Sequence, residues 1–180
     1  MSSIAITGGA TGTGVFSLLA PSTSTNRTLT LPDSTGTILT TATAGVPVNG
    51  PAFSAYKNAT QSITTTTFTK VTFQIEEFDT NSNFASSTFT PTVAGYYQVQ
   101  FAVAPDTTTS NTQAAIYKNG TTYKRVFSTA NSTQSEVTCL VYLNGSTDYI
   151  EAYTFIIGTS PVIASASDLT FFQASMVRAA

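Results

Sequence analysis

One stretch of the chain, from Phe89 to Val103 (FTPTVAGYYQVQFAV), constrains the fold more than any other. It opens with residues typical of a turn, because Pro91 fixes φ and Gly95 permits positive φ. Beyond the turn, Tyr97, Val99, Phe101 and Val103 alternate with Tyr96, Gln98, Gln100 and Ala102. A period of two residues predicts a β-strand with one buried face and one wetter face.

The same pattern continues along the chain from Ala52 onward. Short runs rich in Val, Ile, Thr, Phe and Tyr are separated by turn residues, and Asn119-Gly120 and Asn144-Gly145 are the strongest hairpin signals. We expect about eight to nine strands, including continuous strands over 66–76 and 84–90, and no helical periodicity longer than a turn. The fold class predicted is therefore all-β, a sandwich or a barrel.

The two faces of these strands carry different residues. The inward positions predict a core of Phe73, Tyr97, Val99, Phe101, Val141, Leu143, Ile150 and Phe172. The outward positions carry Tyr96, Tyr123, Tyr142, Tyr149 and Tyr153. Only 9% of the residues are charged, against about 25% in an average protein, so outward tyrosines would leave apolar patches on a monomer. Since tyrosine is enriched at protein interfaces, we expect these five tyrosines at a subunit interface.

Residues 1–50 differ from the rest of the chain. Thr28 to Leu31 alternates, Pro32 to Gly36 reads as a turn, and 37–39 resumes the β pattern, which together predict a hairpin. A lone hairpin is marginal in water, so this segment is either disordered or ordered by a partner. We favour a partner, because the segment is too apolar for a plain linker at Leu29, Leu31, Ile38 and Leu39. The predicted organisation is an N-terminal arm over 1–50 and a head over 51–180.

The residue types present exclude most catalytic and metal chemistry. The chain has no histidine, the commonest general base and metal ligand. Its single cysteine, Cys139, excludes an internal disulfide and a cysteine-cluster zinc site, and we interpret it as a buried structural thiol. With a net charge of -2, the chain lacks the excess of basic residues that binds nucleic acid or an anionic membrane. No apolar window of about 18 residues, the length of a membrane-spanning helix, is present. We expect no cofactor.

The carboxylates leave two alternatives open. Glu76 and Glu77 with Asp79 could bind calcium, or could form the carboxylate pair of a glycan hydrolase, but we interpret them as a solvated strand end. Asp106 and Asp148 could join a calcium site at the loop ends. Asp148 is better placed to cap the turn after the second Asn-Gly pair.

Two further motifs are weak. The glycine-rich segment GGATGTG over 8–14 is not framed by a clear strand and a helix and lacks the Lys-Ser/Thr of a phosphate-binding loop. Lys118 and the pair Lys124-Arg125 form the only local basic cluster, which we interpret as solvated surface. The N-terminus lacks the charged region of a signal peptide, so we expect the chain to fold in a cytoplasm.

Several motifs between residues 52 and 178 occur in the order and spacing of a known family. PAFSAY (51–56) resembles its first strand, and VTFQIEEFDTNSNF (71–84) resembles the region before a family phenylalanine. FTPTVAGYYQVQFAV resembles its core motif Phe-x-x-Pro-x-x-Gly-x-Tyr-x-Phe, through Phe89, Pro91, Gly95, Tyr97 and Val99. LVYLNGSTDYIEAYTF (140–155) and FFQASMV (171–177) resemble its later strands. Together these segments resemble the C1q-like globular head of the TNF-like jelly-roll superfamily.

This resemblance implies a jelly-roll sandwich and a homotrimer packed around a threefold axis, and some members of the family bind calcium. The chain departs from the family at Ala174, where glycine is usual, and no collagen-like Gly-X-Y repeat precedes the head. The arm segment TLTLPDSTGTIL (28–39) is similar to segments of bacteriophage tail-fibre and virion-surface proteins.

We therefore expect a non-enzymatic structural protein at the surface of a bacteriophage virion. It would be a homotrimeric knob, head fibre or decoration protein whose arm attaches to a capsid or tail protein and whose head meets the host surface. One alternative is a receptor-binding tail-fibre adhesin that recognises a host glycan or protein through loops 79–83, 105–112, 128–135 and 157–168. A second alternative is a glycan hydrolase on a β scaffold.

Overall fold

The computed structural model describes residues 50–128 and 132–180. The predicted arm, with Leu29, Leu31, Ile38 and Leu39 and the glycine-rich segment 8–14, lies outside the described residues. Within the described ranges the chain forms strands only, and no helix is long and apolar enough to cross a membrane. The strands are β1 (Ala52–Tyr56), β2 (Gln61–Ser62), β3 (Thr69–Lys70), β4 (Ile75–Asp79), β5 (Phe84–Ala85), β6 (Thr88–Phe89), β7 (Ala94–Val103), β8 (Thr109–Lys118), β9 (Thr121–Ser128), β10 (Ser135–Asn144), β11 (Ile150–Gly158), β12 (Val162–Ile163) and β13 (Phe171–Ala179).

The strands form two antiparallel sheets that pack face to face. Sheet I has the strand order β10-β7-β13-β1-β4. Sheet II has the order β5-β6-β11-β8-β9, and β3 pairs with β11 at its margin. A separate short pair joins β2 to β12. Apart from the hairpins β5–β6 and β8–β9, neighbours in the two sheets are distant in sequence, as in a jelly roll. The predicted all-β sandwich is confirmed.

The core lies between the two sheets. All eight residues expected there are buried, from Phe73 at 9% exposure to Tyr97 and Phe172 at 0%. An aromatic cluster surrounds Phe53, whose ring centroid is 4.4 Å from that of Phe84, 4.6 Å from Phe89 and 5.0 Å from Phe172. Stacked and edge-on rings at these distances add specific attraction to the hydrophobic burial.

The predicted continuous strand over 66–76 is wrong. Residues 71–74 form no strand, although Val71 and Phe73 are buried. Most of the backbone hydrogen bonds of this segment are made to side chains. Thr72 N–H donates to Gln61 Oε1 at 3.1 Å, and Phe73 N–H donates to Ser87 Oγ at 2.9 Å. Side chains that satisfy the backbone locally compete with a strand ladder.

The predicted strand over 84–90 is also wrong. Ser86 and Ser87 adopt φ of 50° and 58°, so β5 and β6 form a tight hairpin around them. Gly95 does not lie in a turn with positive φ but within β7, where a Cβ would collide with the backbone carbonyl of Arg178. The glycine there permits close packing against β13.

Both Asn-Gly pairs form turns, and they differ in their surroundings. Gly120 has φ of 77° and Gly145 has φ of 71°, conformations that side chains disfavour. A Cβ on Gly120 would meet only the Tyr149 hydroxyl, at 3.6 Å. A Cβ on Gly145 would overlap the backbone of Ala94 at the start of β7.

This difference predicts unequal effects of alanine at the two glycines. Gly120→Ala should lower the free energy of unfolding by about 1–2 kcal/mol, the cost of a left-handed residue. Gly145→Ala should cost more, because its Cβ also displaces the β7 backbone. Urea denaturation of both variants measures the difference. Equal losses would contradict the close contact at Gly145.

Candidate functional site: the outer face of sheet I

The outer face of sheet I carries half of the large apolar side chains that are exposed among the described residues. Ten such side chains are exposed, and five of them lie here: Phe78, Tyr96, Leu140, Tyr142 and Val177. Tyr96 and Tyr142 are opposite each other on β7 and β10, with ring centroids 5.5 Å apart. Tyr96, Leu140 and Val177 line a shallow cavity of about 540 Å³ with the C-terminal residues 178–180.

A row of polar side chains crosses the same face, one from each of the five strands, with hydrogen bonds on either side of the contact between Gln173 and Ser54. From β10 to β4 the row contains Glu136, Gln100, Gln173, Ser54 and Glu77. Gln100 Nε2 donates to Glu136 Oε1 at 2.7 Å, and Gln173 Nε2 donates to Gln100 Oε1. Ser54 Oγ donates to Glu77 Oε2 at 2.6 Å and lies 3.4 Å from Gln173 Oε1. A cavity of about 220 Å³ lies along this row and is also lined by Gln98 and Phe78.

The charged groups of this face stand at its margins. Glu136 belongs to the edge strand β10 and Glu77 to the edge strand β4, while Arg178 lies near the C-terminal end of β13. The centre consists of amides, hydroxyls and apolar groups. An uncharged centre with a charged rim is the usual composition of a protein–protein interface.

Part of the outer face of sheet II is covered by its own chain, although Phe127 of β9 and Ile157 of β11 stay exposed there. Tyr153 on β11 stacks on Tyr117 of β8 with ring centroids 4.0 Å apart. Phe68, which precedes β3, lies 5.2 Å from Phe155 and 5.9 Å from Tyr117. Burial is the main cause that raises the pKa of Tyr153. This cluster thus has partners within the protomer.

The structure separates the five tyrosines expected at an interface. Tyr96 and Tyr142 lie together on sheet I, and Tyr153 lies on sheet II. Tyr123 lies on the side of the sandwich, where its hydroxyl donates to the Leu140 carbonyl at 3.0 Å. Tyr149 adjoins the Asn119 turn, and its N–H donates to Asn119 Oδ1 at 2.9 Å. The alternation of inward and outward residues along a strand does not show which sheet the strand joins. The sequence alone therefore could not assign the five tyrosines to different surfaces.

The carboxylates singled out in the sequence do not converge. Asp79 accepts hydrogen bonds from the backbone N–H of Phe84 at 2.7 Å and of Asn81 at 3.4 Å, so it closes the turn after β4. Glu77 belongs to the row on sheet I, and Asp106 lines a different cavity with Pro105, residues 107–109, Ser132 and Thr133. No group of three or more metal-ligating side chains occurs in residues 50–128 and 132–180.

Asp148 caps a turn, as its position after Gly145 suggests. Its carboxylate accepts from the Asn144 backbone N–H at 3.1 Å and from Asn119 Nδ2 at 2.8 Å, and it pairs with Lys118 Nζ at 2.9 Å. The hydrogen bond from Asn119 is the main cause that lowers the pKa of Asp148. These contacts join the two hairpin turns.

Cys139 is half-buried on the inward side of β10 and packs against the core. Burial raises the pKa of its thiol, although Lys124 acts in the opposite direction. A raised pKa keeps the thiol protonated and unreactive.

Lys57 is a buried cation that sequence analysis did not single out. It is fully buried, and its Nζ donates to the Thr72 carbonyl at 2.8 Å and to Gln61 Oε1 at 3.1 Å. Neither of the described ion pairs includes it. Burial lowers the pKa of Lys57 to about 8. Its contacts hold the irregular segment 71–74, which is a structural role, and no signal in the local sequence distinguishes it from an exposed lysine.

The lowered pKa of Lys57 predicts a pH-dependent stability. Since the folded-state pKa lies below the ordinary value of 10.5, folding is penalised while the amine is protonated. That penalty is complete below pH 8 and disappears as the pH rises toward 10.5. The stability of the wild type relative to Lys57→Met should therefore rise between pH 8 and 10.5 in urea titrations. Lys124→Met, at an exposed position, is the control, and an equal rise there would contradict the assignment.

Comparisons with known proteins relate this fold to solved structures only. No family model and no curated protein matches the chain. Murine APRIL at pH 5.0 matches with a TM-score of 0.57 and 13% identity, over 71% of this chain and 99% of that one. The globular domain of zebrafish complement 1qA matches with a TM-score of 0.56 and 17% identity, over 73% and 99%. Vertex protein P5 of PRD1 matches with a TM-score of 0.54 and 16% identity, over 73% and 99%.

These matches confirm the fold expected from the sequence motifs. The described residues form a jelly-roll sandwich of the TNF-like and C1q-like type. At such identities the likeness shows the fold alone, and function has to be argued from the surfaces of this chain.

Proposed function

We propose that this protein is a non-enzymatic structural component of a bacteriophage virion surface, a homotrimeric knob or short head fibre. Its arm over 1–50 anchors it to a capsid or tail protein, and its head is presented to the host surface. The observation that carries the proposal is the outer face of sheet I, which is large, apolar at one end and free of charge at its centre.

Self-association follows from the chemistry of that face. Exposed Leu140, Tyr142 and Val177 beside Tyr96 form a contiguous apolar surface that a monomer would leave in water. A second copy of the chain is the partner proposed for this face, because its amides and aromatic rings can pair with the polar and apolar groups of another copy. The C1q-like resemblance supports a threefold arrangement. Trimerisation also gives a surface protein avidity, since three weak contacts act together.

The virion location has two supports. The structural neighbours include a vertex protein of PRD1, a virion component, beside proteins that are not viral. The arm segment over 28–39 resembles virion-surface and tail-fibre proteins, and it favours the viral setting over the others. The hydrolase alternative receives no support from the three cavities on the head described here, since Asp106 is the only carboxylate that lines any of them.

A receptor-binding adhesin is the second candidate, and one cavity favours it. Residues 105–109 with Ser132 and Thr133 line a cavity of about 380 Å³ that is rich in hydroxyl groups. Hydroxyl groups and the Asp106 carboxylate are suitable hydrogen-bonding partners for a host glycan.

The predicted loop 105–112 is a loop only as far as 108, because β8 begins at Thr109. The adhesin hypothesis predicts a loss of adsorption when residues 105–108 are replaced by a Gly-Ser segment. Phage carrying the replacement should adsorb to host cells at least about tenfold less, as expected when the contacts of a multivalent ligand are removed. Replacement of residues 58–60, an exposed turn outside the four candidate loops, serves as the control for damage to the head. Unchanged host range after deletion of the whole protein would rule out the adhesin role.

The interface on sheet I predicts that a charge at its apolar end disrupts assembly. Leu140→Glu should raise the dissociation constant of the trimer by at least about tenfold, because it removes apolar burial and brings like charges together. Light scattering over a range of concentrations measures this. Ile157→Glu, at an exposed position of β11 in sheet II, should leave the mass unchanged. Dissociation by Ile157→Glu alone would place the interface on the other sheet.

The division into arm and head predicts that the head carries the assembly. A chain that begins at Pro51 should have the same number of subunits as the full chain in light scattering. If only the full chain forms a trimer, the arm is the assembly element and the role proposed for sheet I is wrong.

A further inference from the structure

We infer that the row of polar side chains across sheet I determines the register in which copies of the chain dock. The inference rests on the proposed self-association and assigns a specific role to residues of the same face. The apolar end of the face attracts a second copy without direction, because hydrophobic contact is non-directional. Hydrogen-bonding groups depend on distance and angle, so they can select one alignment among many.

The sheet itself aligns the members of the row. Gln100 of β7 is in register with Gln173 of β13, and Gln173 is in register with Ser54 of β1. Antiparallel pairing places such directly opposed side chains on the same face. The row is therefore a rigid feature of the protomer, present before any partner binds.

Some hydrogen-bonding groups in and beside the row have no partner among the residues that the structure describes. Ser54 has one hydroxyl hydrogen, and its short contact with Glu77 Oε2 takes that hydrogen. Gln173 Oε1, 3.4 Å from Ser54 Oγ, therefore receives no hydrogen from it. Gln98, next to the row on β7, makes no side-chain hydrogen bond among the described residues and lines the cavity beside Phe78.

These valences restrict what can cover the face. A purely apolar surface would leave the Gln98 amide and Gln173 Oε1 buried without hydrogen bonds, which is unfavourable. A second copy brings amides that both donate and accept, so its Gln98 and Gln173 can complete the missing bonds. Only alignments that place these amides opposite polar groups of the second copy complete the missing hydrogen bonds. A single buried asparagine fixes register and oligomer state in coiled coils for the same reason.

The test uses the full chain with Gln98→Leu, because no side-chain hydrogen bond within residues 50–128 and 132–180 depends on Gln98. The control is Gln74→Leu. Gln74 is an exposed glutamine outside the row, and the described hydrogen bonds of its side chain are made with Asn58 and Thr72. Native mass spectrometry gives the distribution of assembly states. A cysteine at Ser175 in a Cys139→Ala background reports the alignment through disulfide cross-linking between copies.

We expect one trimer mass and one cross-linking pattern for the wild type and for Gln74→Leu. Gln98→Leu should stay associated, since leucine adds apolar surface, but should lose the single mass peak and change its cross-linking yield. A single trimer mass with unchanged cross-linking in Gln98→Leu would overturn the inference and leave the proposed self-association intact. A monomeric wild type would overturn the self-association itself, and the face would then belong to a different partner.

Discussion

The aromatic contacts around Phe53 hold the two sheets of this sandwich together. Phe53 belongs to β1 in sheet I, and its ring packs against Phe84 and Phe89 of the β5–β6 hairpin in sheet II. Phe172 of β13 closes the cluster from the same sheet as Phe53. Because successive residues of a strand face opposite sides, these inward rings also determine which residues face outward. A slip of one residue in β13 would bury Gln173 and expose Phe172, so core packing maintains the polar row on the outer surface.

The outer faces of the two sheets differ in how far the chain itself covers their apolar residues. Sheet II places Phe68 over Tyr117 and Phe155, and an ion pair between Lys70 and Glu151, 2.7 Å apart, borders the cluster. Sheet I has no such covering segment among the described residues. With few charges in the chain, its apolar end has little local electrostatic protection against association. This difference in covering, and not the total number of exposed tyrosines, is the basis for the interface proposed on sheet I, although Phe127 and Ile157 are exposed on sheet II.

Much of the fold could be predicted from the sequence, because strand alternation is a local signal. The alternation of apolar and polar residues with a period of two identified β7 and β10 and assigned Val99 and Val141 to the core. The Asn-Gly pairs marked both tight turns. The segment 71–74 could not be predicted, since its backbone depends on Gln61 and Lys57, which are distant from it along the chain. The outward position of Tyr142 could be predicted, but its pairing with Tyr96 depends on the topology of sheet I. The arm predicted over 1–50 lies almost wholly outside the described residues, so it stays a prediction.

The candidate site is less visible in the sequence than the core, for a physical reason. Gln100 and Gln173 look like ordinary polar positions of separate strands, 73 residues apart. They become neighbours only because β13, the last strand, inserts between β7 and β1. A jelly roll shared by murine APRIL, a complement 1qA domain and the PRD1 vertex protein P5 does not carry function in its strand order. What is particular to this chain is the chemistry placed on the outward positions of sheet I, where uncharged amides run beside exposed rings. These amides and rings are the groups on which the proposed contact with another copy of the chain depends, since polar groups select the alignment and apolar groups supply the attraction.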